Sequence, residues 1–337
     1  MKKIFVAMLA LAAATACSNS EIVSVNREAI GFDNAFVNNS VRSVNDPSYS
    51  NTNMFADFQV YGYVEDAPLF NTENTGVTVS KAIANNELKS DWKYEGTQYW
   101  IAGAQYNFNA VAPMTNGGWE KTAADAASTT LSFTNNGTTD LLYAYATAEG
   151  KVSGNTPVAF TFRHVLSKVK FSFENAYNAT NATIKVKDIV ITNPHKTANV
   201  VLTNGTAWSG NAAADDFTLA FGMATDDEAT DAKENVEVAY AYGATYESQK
   251  ELFLIPSTSY AYNVTFTVEL LVSGKYITEY EHTATATFAP VAGQAYDIKT
   301  VITATNIDPN HAQEPIEFTV NTLPDWGTSN GVDVPQN

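Results

Sequence analysis

Four histidines, His164, His195, His282 and His311, and one cysteine, Cys17, are the residues of this 337-residue chain best suited to metal or nucleophilic chemistry. Their spacing argues against both. No histidine has a second ligand-type residue at a spacing such as HExxH, and the chain has no G-x-S-x-G elbow, phosphate-binding loop or dinucleotide glycine fingerprint. The acidic cluster Asp226, Asp227 and Glu228 lacks the alternating ligands and central glycine of a twelve-residue calcium loop, and reads as a solvated acidic loop. Carboxylate pairs that hydrolyse glycosides stay open, because strands can bring distant acids together without a local motif. The expectation is a non-enzyme with no catalytic residues, no metal and no cofactor.

Cys17 takes its meaning from what precedes it. Lys2 and Lys3, an apolar run from Ile4 to Ala14 and the small residues Ala14, Thr15 and Ala16 have the layout of a secretory signal. The run is about 11 residues, short of the roughly 20 that cross a bilayer as a helix. A cysteine directly after three small residues is also the layout of a bacterial lipobox, which makes Cys17 a lipid attachment point. Ala14 stands where a lipobox more often has Leu, so simple cleavage after Ala16 is the alternative. A lone cysteine excludes a disulfide within the chain.

Arginine is scarce: Arg27, Arg42 and Arg163 are all there is. The first two lie before the main body of the chain, where an Arg-specific protease could trim the front. Arg163 falls in an expected strand that folding would protect. On composition alone, two surface arginines by chance is the plainer reading.

The elements that position these residues are strands. Tyr numbers 17 and Phe 18, and Thr, Val and Asn are abundant, a composition that favours strands and turns over helices. The net charge of −17 repels nucleic-acid backbones and anionic membrane surfaces, so no nucleic-acid partner is expected. Apolar residues alternate in strand after strand, and the clearest case is Tyr262, Val264, Phe266, Val268 and Leu270 against polar Asn263, Thr265, Thr267 and Glu269, with one face solvated. Ser273-Gly274 then predicts a hairpin turn toward Tyr276 and Ile277. Asn116-Gly117-Gly118 and Asn135-Asn136-Gly137 are further turn signals. The one helix expected is Thr225 to Asn235, with acids in its first turn and Lys233 in its last.

The stretch Val158 to Phe173 carries the domain reading. Val158, Phe160 and Phe162 form one apolar set, and Val169, Phe171 and Phe173 form another of opposite parity. A bend or crossover within His164 to Lys168, joining two β domains, explains the switch. A bulge in a single strand does so as well. Before the first domain, Ser18 to Arg42 holds one strand pattern, with Ile30, Phe32 and Phe36 on a shared face.

Taken together, the lipobox at Cys17, AIGFDNAFVNNSVR at Ala29 to Arg42, YWIAGAQYNFNAVAP at Tyr99 to Pro113, FTFRHVLSKVKF at Phe160 to Phe171, ELFLIPS at Glu251 to Ser257, GQAYDIKTVI at Gly293 to Ile302 and PIEFTVNTLPDW at Pro315 to Trp326 resemble, in order and spacing, the fimbrillins. These are lipoprotein-derived pilins of type V pili of the Bacteroidales type. The resemblance implies an all-β chain of two consecutive, transthyretin-like β-sandwiches: a signal and lipobox over 1–17, a propeptide strand over 18–42, and sandwiches over 43–163 and 164–337. It also implies a structural pilin subunit at the outer membrane and cell-surface fimbrium, lipid-anchored before maturation. An Arg-specific protease would cleave at Arg42, with Arg27 the alternative. Polymerisation would follow by strand exchange with other pilin subunits, in a homopolymer or with anchor and tip subunits. The donor strand would be Pro315 to Leu323, with Ile316, Phe318 and Val320 entering the next subunit. A second reading is a tip or surface adhesin for glycan or host protein, with Tyr99, Trp100, Trp119 and Trp208 as a sugar-stacking platform, although aromatics in β-sandwiches are more often core.

Overall fold

The computed structural model describes residues 28–37, 57–70, 75–84, 87–114, 116–203, 205–225, 239–308 and 314–323, with 33–37, 81–84, 87–91 and 225 described by their backbone alone. The first half forms β1 (Phe32–Val37), β2 (Asp57–Val64), β3 (Ala67–Pro68), β4 (Val77–Ala84), β5 (Glu87–Lys93), β6 (Gln105–Ala112), β7 (Trp119–Ala124), β8 (Thr129–Thr134), β9 (Leu142–Glu149) and β10 (Val158–His164). The second half continues with β11 (Ser167–Asn175), β12 (Ala182–Ile191), β13 (His195–Leu202), β14 (Thr206–Ala213), β15 (Leu219–Gly222), β16 (Ala224–Thr225), β17 (Tyr240–Ala241) and β18 (Thr245–Ser248). After these come β19 (Leu252–Leu254), β20 (Tyr260–Val272), β21 (Lys275–Phe288), β22 (Ala295–Ile302), the single helical turn α1 (Ala304–Ile307) and β23 (Thr319–Leu323). The fold is all-β, as the composition predicts. The expected helix at Thr225 to Asn235 lies outside the described residues apart from Thr225, which ends β16.

An eight-stranded sheet runs in the order β1-β10-β9-β6-β2-β4-β5, with β3 beside β2. It curls so that its outer strands approach: the hydroxyl of Tyr94, just after β5, donates to the carbonyl of Ile30, just before β1, at 2.8 Å. Phe58, Phe108, Phe160 and Phe162 fill the core it encloses. A second core lies between a six-stranded sheet, β16-β18-β11-β22-β23 with β19 beside β11, and a five-stranded sheet, β15-β12-β20-β21 with β17 beside β12. Phe173 of the first meets Phe266 of the second with ring centroids 5.2 Å apart.

The parity switch is a passage between cores, because β10 and β11 belong to different sheets. Val158, Phe160 and Phe162 enter the first core, and Val169, Phe171 and Phe173 the second. Val165 and Leu166, between the two strands, are themselves buried in a third core with Tyr61, Tyr143, Leu131 and Val200. A four-stranded sheet, β14-β13-β8-β7, covers this third core, and its central ladder pairs β8 with β13 from opposite sides of the passage, Thr134 with Thr197 through Thr129 with Leu202.

β20 and β21 form the predicted hairpin. Ser273 and Gly274 both take positive φ, 53° and 73°, as a two-residue primed turn requires. Tyr262, Val264, Phe266, Val268 and Leu270 are all buried. The opposite face is not uniformly wet. Glu269 is buried too, because Lys185 and Lys187 of β12 reach over it, their Nζ atoms 4.0 and 3.4 Å from its carboxylate. At Gly118 the backbone comes so close to the Thr134 carbonyl that an added Cβ would sit 2.4 Å from its oxygen, which explains a glycine in that turn.

Candidate functional site

Among the described residues, those best suited to chemistry do not converge. His164 is buried and pairs through Nδ1 with the Asp140 carboxylate. His195 packs against Tyr260 with ring centroids 4.3 Å apart, His282 stacks on Phe266 at 5.5 Å, and burial pushes both imidazoles below their ordinary pKa. His311 lies outside the described residues. Among the described residues no group of three His, Cys, Asp or Glu is placed to hold a metal.

The four aromatics of the alternative, sugar-stacking reading are dispersed. Tyr99 is 46% exposed, whereas Trp100 is buried edge-on to Tyr106 in the first core. Trp119 donates its indole N–H to the Pro113 carbonyl at 2.8 Å, and Trp208 donates to the Val165 carbonyl at 3.1 Å. Both pack against the third core.

Cys17, Arg27 and Arg42 lie outside the described residues. Arg163 is held in β10, where its Nη2 donates to the carbonyls of Thr203 and Gly205 at 2.8 and 2.6 Å. Its guanidinium lies over the Tyr143 ring, 5.2 Å from the centroid, and burial lowers its pKa. Those contacts bind it into the folded strand.

The candidate site lies at the strand near the front of the chain, β1. β1 is an outer strand of the eight-stranded sheet and pairs parallel to β10, a geometry no hairpin can make. Two described side chains from this front segment reach the core, Ile30, 1% exposed, and Phe32, 5%, while the side chain of Phe36 lies outside the described residues. Phe32 sits in an aromatic box, with ring centroids 5.3 Å from Tyr94, 5.7 Å from Phe160, 5.9 Å from Phe108 and 6.4 Å from Phe70.

The main chain is tied down on both sides. Ile30 N donates to Gln98 O at 2.8 Å, Trp100 N to Glu28 O at 3.0 Å, and Val158 N to Gly31 O at 2.8 Å. Glu28 forms a clasp ahead of the strand. One carboxylate oxygen accepts from Gly154 N at 2.8 Å, and the other from Asn155 N and Nδ2, both at 2.7 Å. The main-chain N–H groups of Asn155 and Gly154 hold that carboxyl below the usual carboxylate range.

The C-terminal segment is also an edge. β23 pairs antiparallel with β22, from Thr319 opposite Lys299 to Leu323 opposite Ala295, and ends the six-stranded sheet. Ile316 is 7% exposed, and Phe318 and Val320 pack half-buried on the second core. The Phe318 ring is 5.8 Å from Phe171 and 6.0 Å from Phe266. Of the expected strand Pro315 to Leu323, regular pairing covers Thr319–Leu323. The residues before it are held by side chains: Thr300 Oγ1 donates to Glu317 O at 2.8 Å, and Asn306 Nδ2 to Glu314 O at 3.1 Å. The Glu28 clasp and the β1–β10 pairing were not read from sequence, since both join residues more than a hundred positions apart.

Two outer strands, one toward each end of the chain, thus lie where apolar residues enter a core. A family model described as fimbrillin-like matches residues 48–323. The chain belongs to the fimbrillin-like family. It is therefore a fimbrial protein of the cell surface, and not an enzyme. Among solved structures, a putative cell adhesion protein from Bacteroides uniformis is 16% identical with a TM-score of 0.43, covering 90% of this chain and 99% of its own. One from Bacteroides ovatus is 16% identical with a TM-score of 0.48, covering 89% and 98%. The fimbrial anchor protein Mfa2 from Porphyromonas gingivalis is 12% identical with a TM-score of 0.39, covering 89% and 98%. No curated protein sequence matches the chain.

Proposed function

We propose that this fimbrillin-like chain is a structural pilin subunit that polymerises by strand exchange. It is exported as a lipoprotein acylated at Cys17 and held at the outer membrane by that lipid, and an Arg-specific protease then trims it. Cleavage after Arg42 detaches the segment that contains β1, whereas cleavage after Arg27 leaves β1 joined to the body, so Arg42 is the site the mechanism needs. The sandwich over 43–163 then receives a strand, and the sandwich over 164–337 donates one, with Ile316, Phe318 and Val320 entering the neighbour's groove. The partners are further copies, with anchor and tip subunits at the ends of the fibre.

The observation that carries this reading is the placement of β1. It is an outer strand, yet Ile30 and Phe32 beside and within it are buried in the core. Each such side chain gains about 1.5–3 kcal/mol from burial, so a vacated groove is a strong apolar acceptor. A head-to-tail contact of this kind does not close on itself and grows into a fibre. Wild-type protein digested with an Arg-specific protease should yield material beginning at Ser43 and filaments visible by electron microscopy, while Arg42→Ala stays monomeric. Filaments from Arg42→Ala protein that retains residues 28–42 would overturn the reading.

A further inference from the structure

Two five-residue stretches near opposite ends of the chain share one pattern. Glu28-Ala29-Ile30-Gly31-Phe32 and Glu314-Pro315-Ile316-Glu317-Phe318 are both Glu-x-Ile-x-Phe. In each, Ile and Phe pack on a core while the glutamate stands ahead of them. We propose that, on assembly, Glu314–Phe318 of a second copy takes the place of Glu28–Phe32 in the same register, with the Glu314 carboxylate on the main-chain amides of Gly154 and Asn155. This rests on the strand-exchange reading and adds to it a defined register and a carboxylate-binding site in the acceptor.

Each position of the acceptor admits the replacement. The loop that clasps Glu28 is braced without it: Lys151 N donates to Asn155 Oδ1 at 2.8 Å, and Asn155 Nδ2 to Lys151 O at 3.0 Å. Loss of Glu28 therefore leaves a preformed pair of N–H donors, a concavity suited to an anion. At Ala29, the bridge to Tyr99 runs through Glu28 O and Ile30 N, so the Ala29 N–H points away from the ladder. Pro315 has no N–H to offer there and needs none. Ala29 is exposed, which leaves room for the ring.

At Gly31, φ is not in the left-handed region and an added Cβ would meet Pro157 at an ordinary 3.7 Å, so Glu317 fits where glycine stands. The Ile30 pocket and the Phe32 box receive Ile316 and Phe318 unchanged in type. Within the monomer, Glu314 and Glu317 are exposed and bonded through their main chains, Glu314 N donating to Thr305 O at 3.0 Å. Among the described residues neither carboxylate has a partner that transfer would break.

Directly opposed, non-hydrogen-bonded residues of an antiparallel pair lie close enough for a disulfide. Cysteines replacing Ala29 and Tyr99 should therefore cross-link within an untrimmed chain, which calibrates the geometry. In filaments of trimmed full-length protein, from which Cys17 has left with the propeptide, Tyr99→Cys with Pro315→Cys should cross-link neighbouring subunits. Tyr99→Cys with Glu317→Cys should not. Glu314→Gln, which loses the charge, should slow assembly about tenfold without changing the melting temperature of the untrimmed monomer. Cross-linking at Glu317→Cys in place of Pro315→Cys, or unaltered assembly of Glu314→Gln, would overturn the register while leaving strand exchange intact. Filaments formed after deletion of 314–337 would overturn both.

Discussion

At the scale of single residues, the N-terminal core is keyed by Phe32. Its ring meets four other aromatics, and it arrives from an outer strand of the sheet. Phe32→Ala should destabilise the untrimmed protein by about 3–5 kcal/mol, measured by denaturant unfolding, because it empties a box that cannot collapse around it. The buried histidines give a pH signature. His195 and His282 have folded-state pKa values below the ordinary 6.5, so the unfolded chain binds their protons more readily than the folded one. Their contribution to stability is complete above pH about 6.5 and is lost as pH falls from there through the lower folded values. The melting temperature should fall across that acidic window, and His195→Gln combined with His282→Gln should flatten the fall. An equally steep fall in the double variant would assign it to other groups.

At the scale of elements, what was legible in the sequence is what alternates locally. The β20–β21 hairpin was readable because its apolar residues recur every second position and Ser273-Gly274 supplies two positive φ angles. An added Cβ at Gly274 would meet nothing within 4 Å, so Gly274→Ala carries a backbone cost alone, about 1–2 kcal/mol by thermal unfolding. The change of core at Val165 and Leu166 was visible as a parity switch, though not that a third core would bury the junction itself. Other features had no local signal. Parallel pairing of β1 with β10 and of β11 with β22 joins residues far apart, and the ladder between β8 and β13 depends on how the two halves dock. Glu269 was misread as solvated because its cover comes from lysines on another strand. Of the candidate site, the Ile316, Phe318 and Val320 pattern was readable, while the Glu28 clasp depends on a loop over 120 positions away.

At the scale of the whole molecule, the described residues form β layers around three cores with an outer strand toward each end, β1 at the front and β23 at the back. The third core matters for a fibre under load: Val165 and Leu166 are buried among residues of both halves, so the passage between them is packed and not a free linker. The net charge of −17 makes separate copies repel one another in solution. The central claim is that the outer strand at the front is exchanged for the one at the back of another copy. Electron cryo-microscopy of filaments grown from protein trimmed after Arg42 tests this most directly. The groove beside β10 should hold residues 314–323 of the neighbouring subunit, with Ile316 and Phe318 in the places of Ile30 and Phe32. A groove still occupied by residues 28–37 of the same subunit would contradict it.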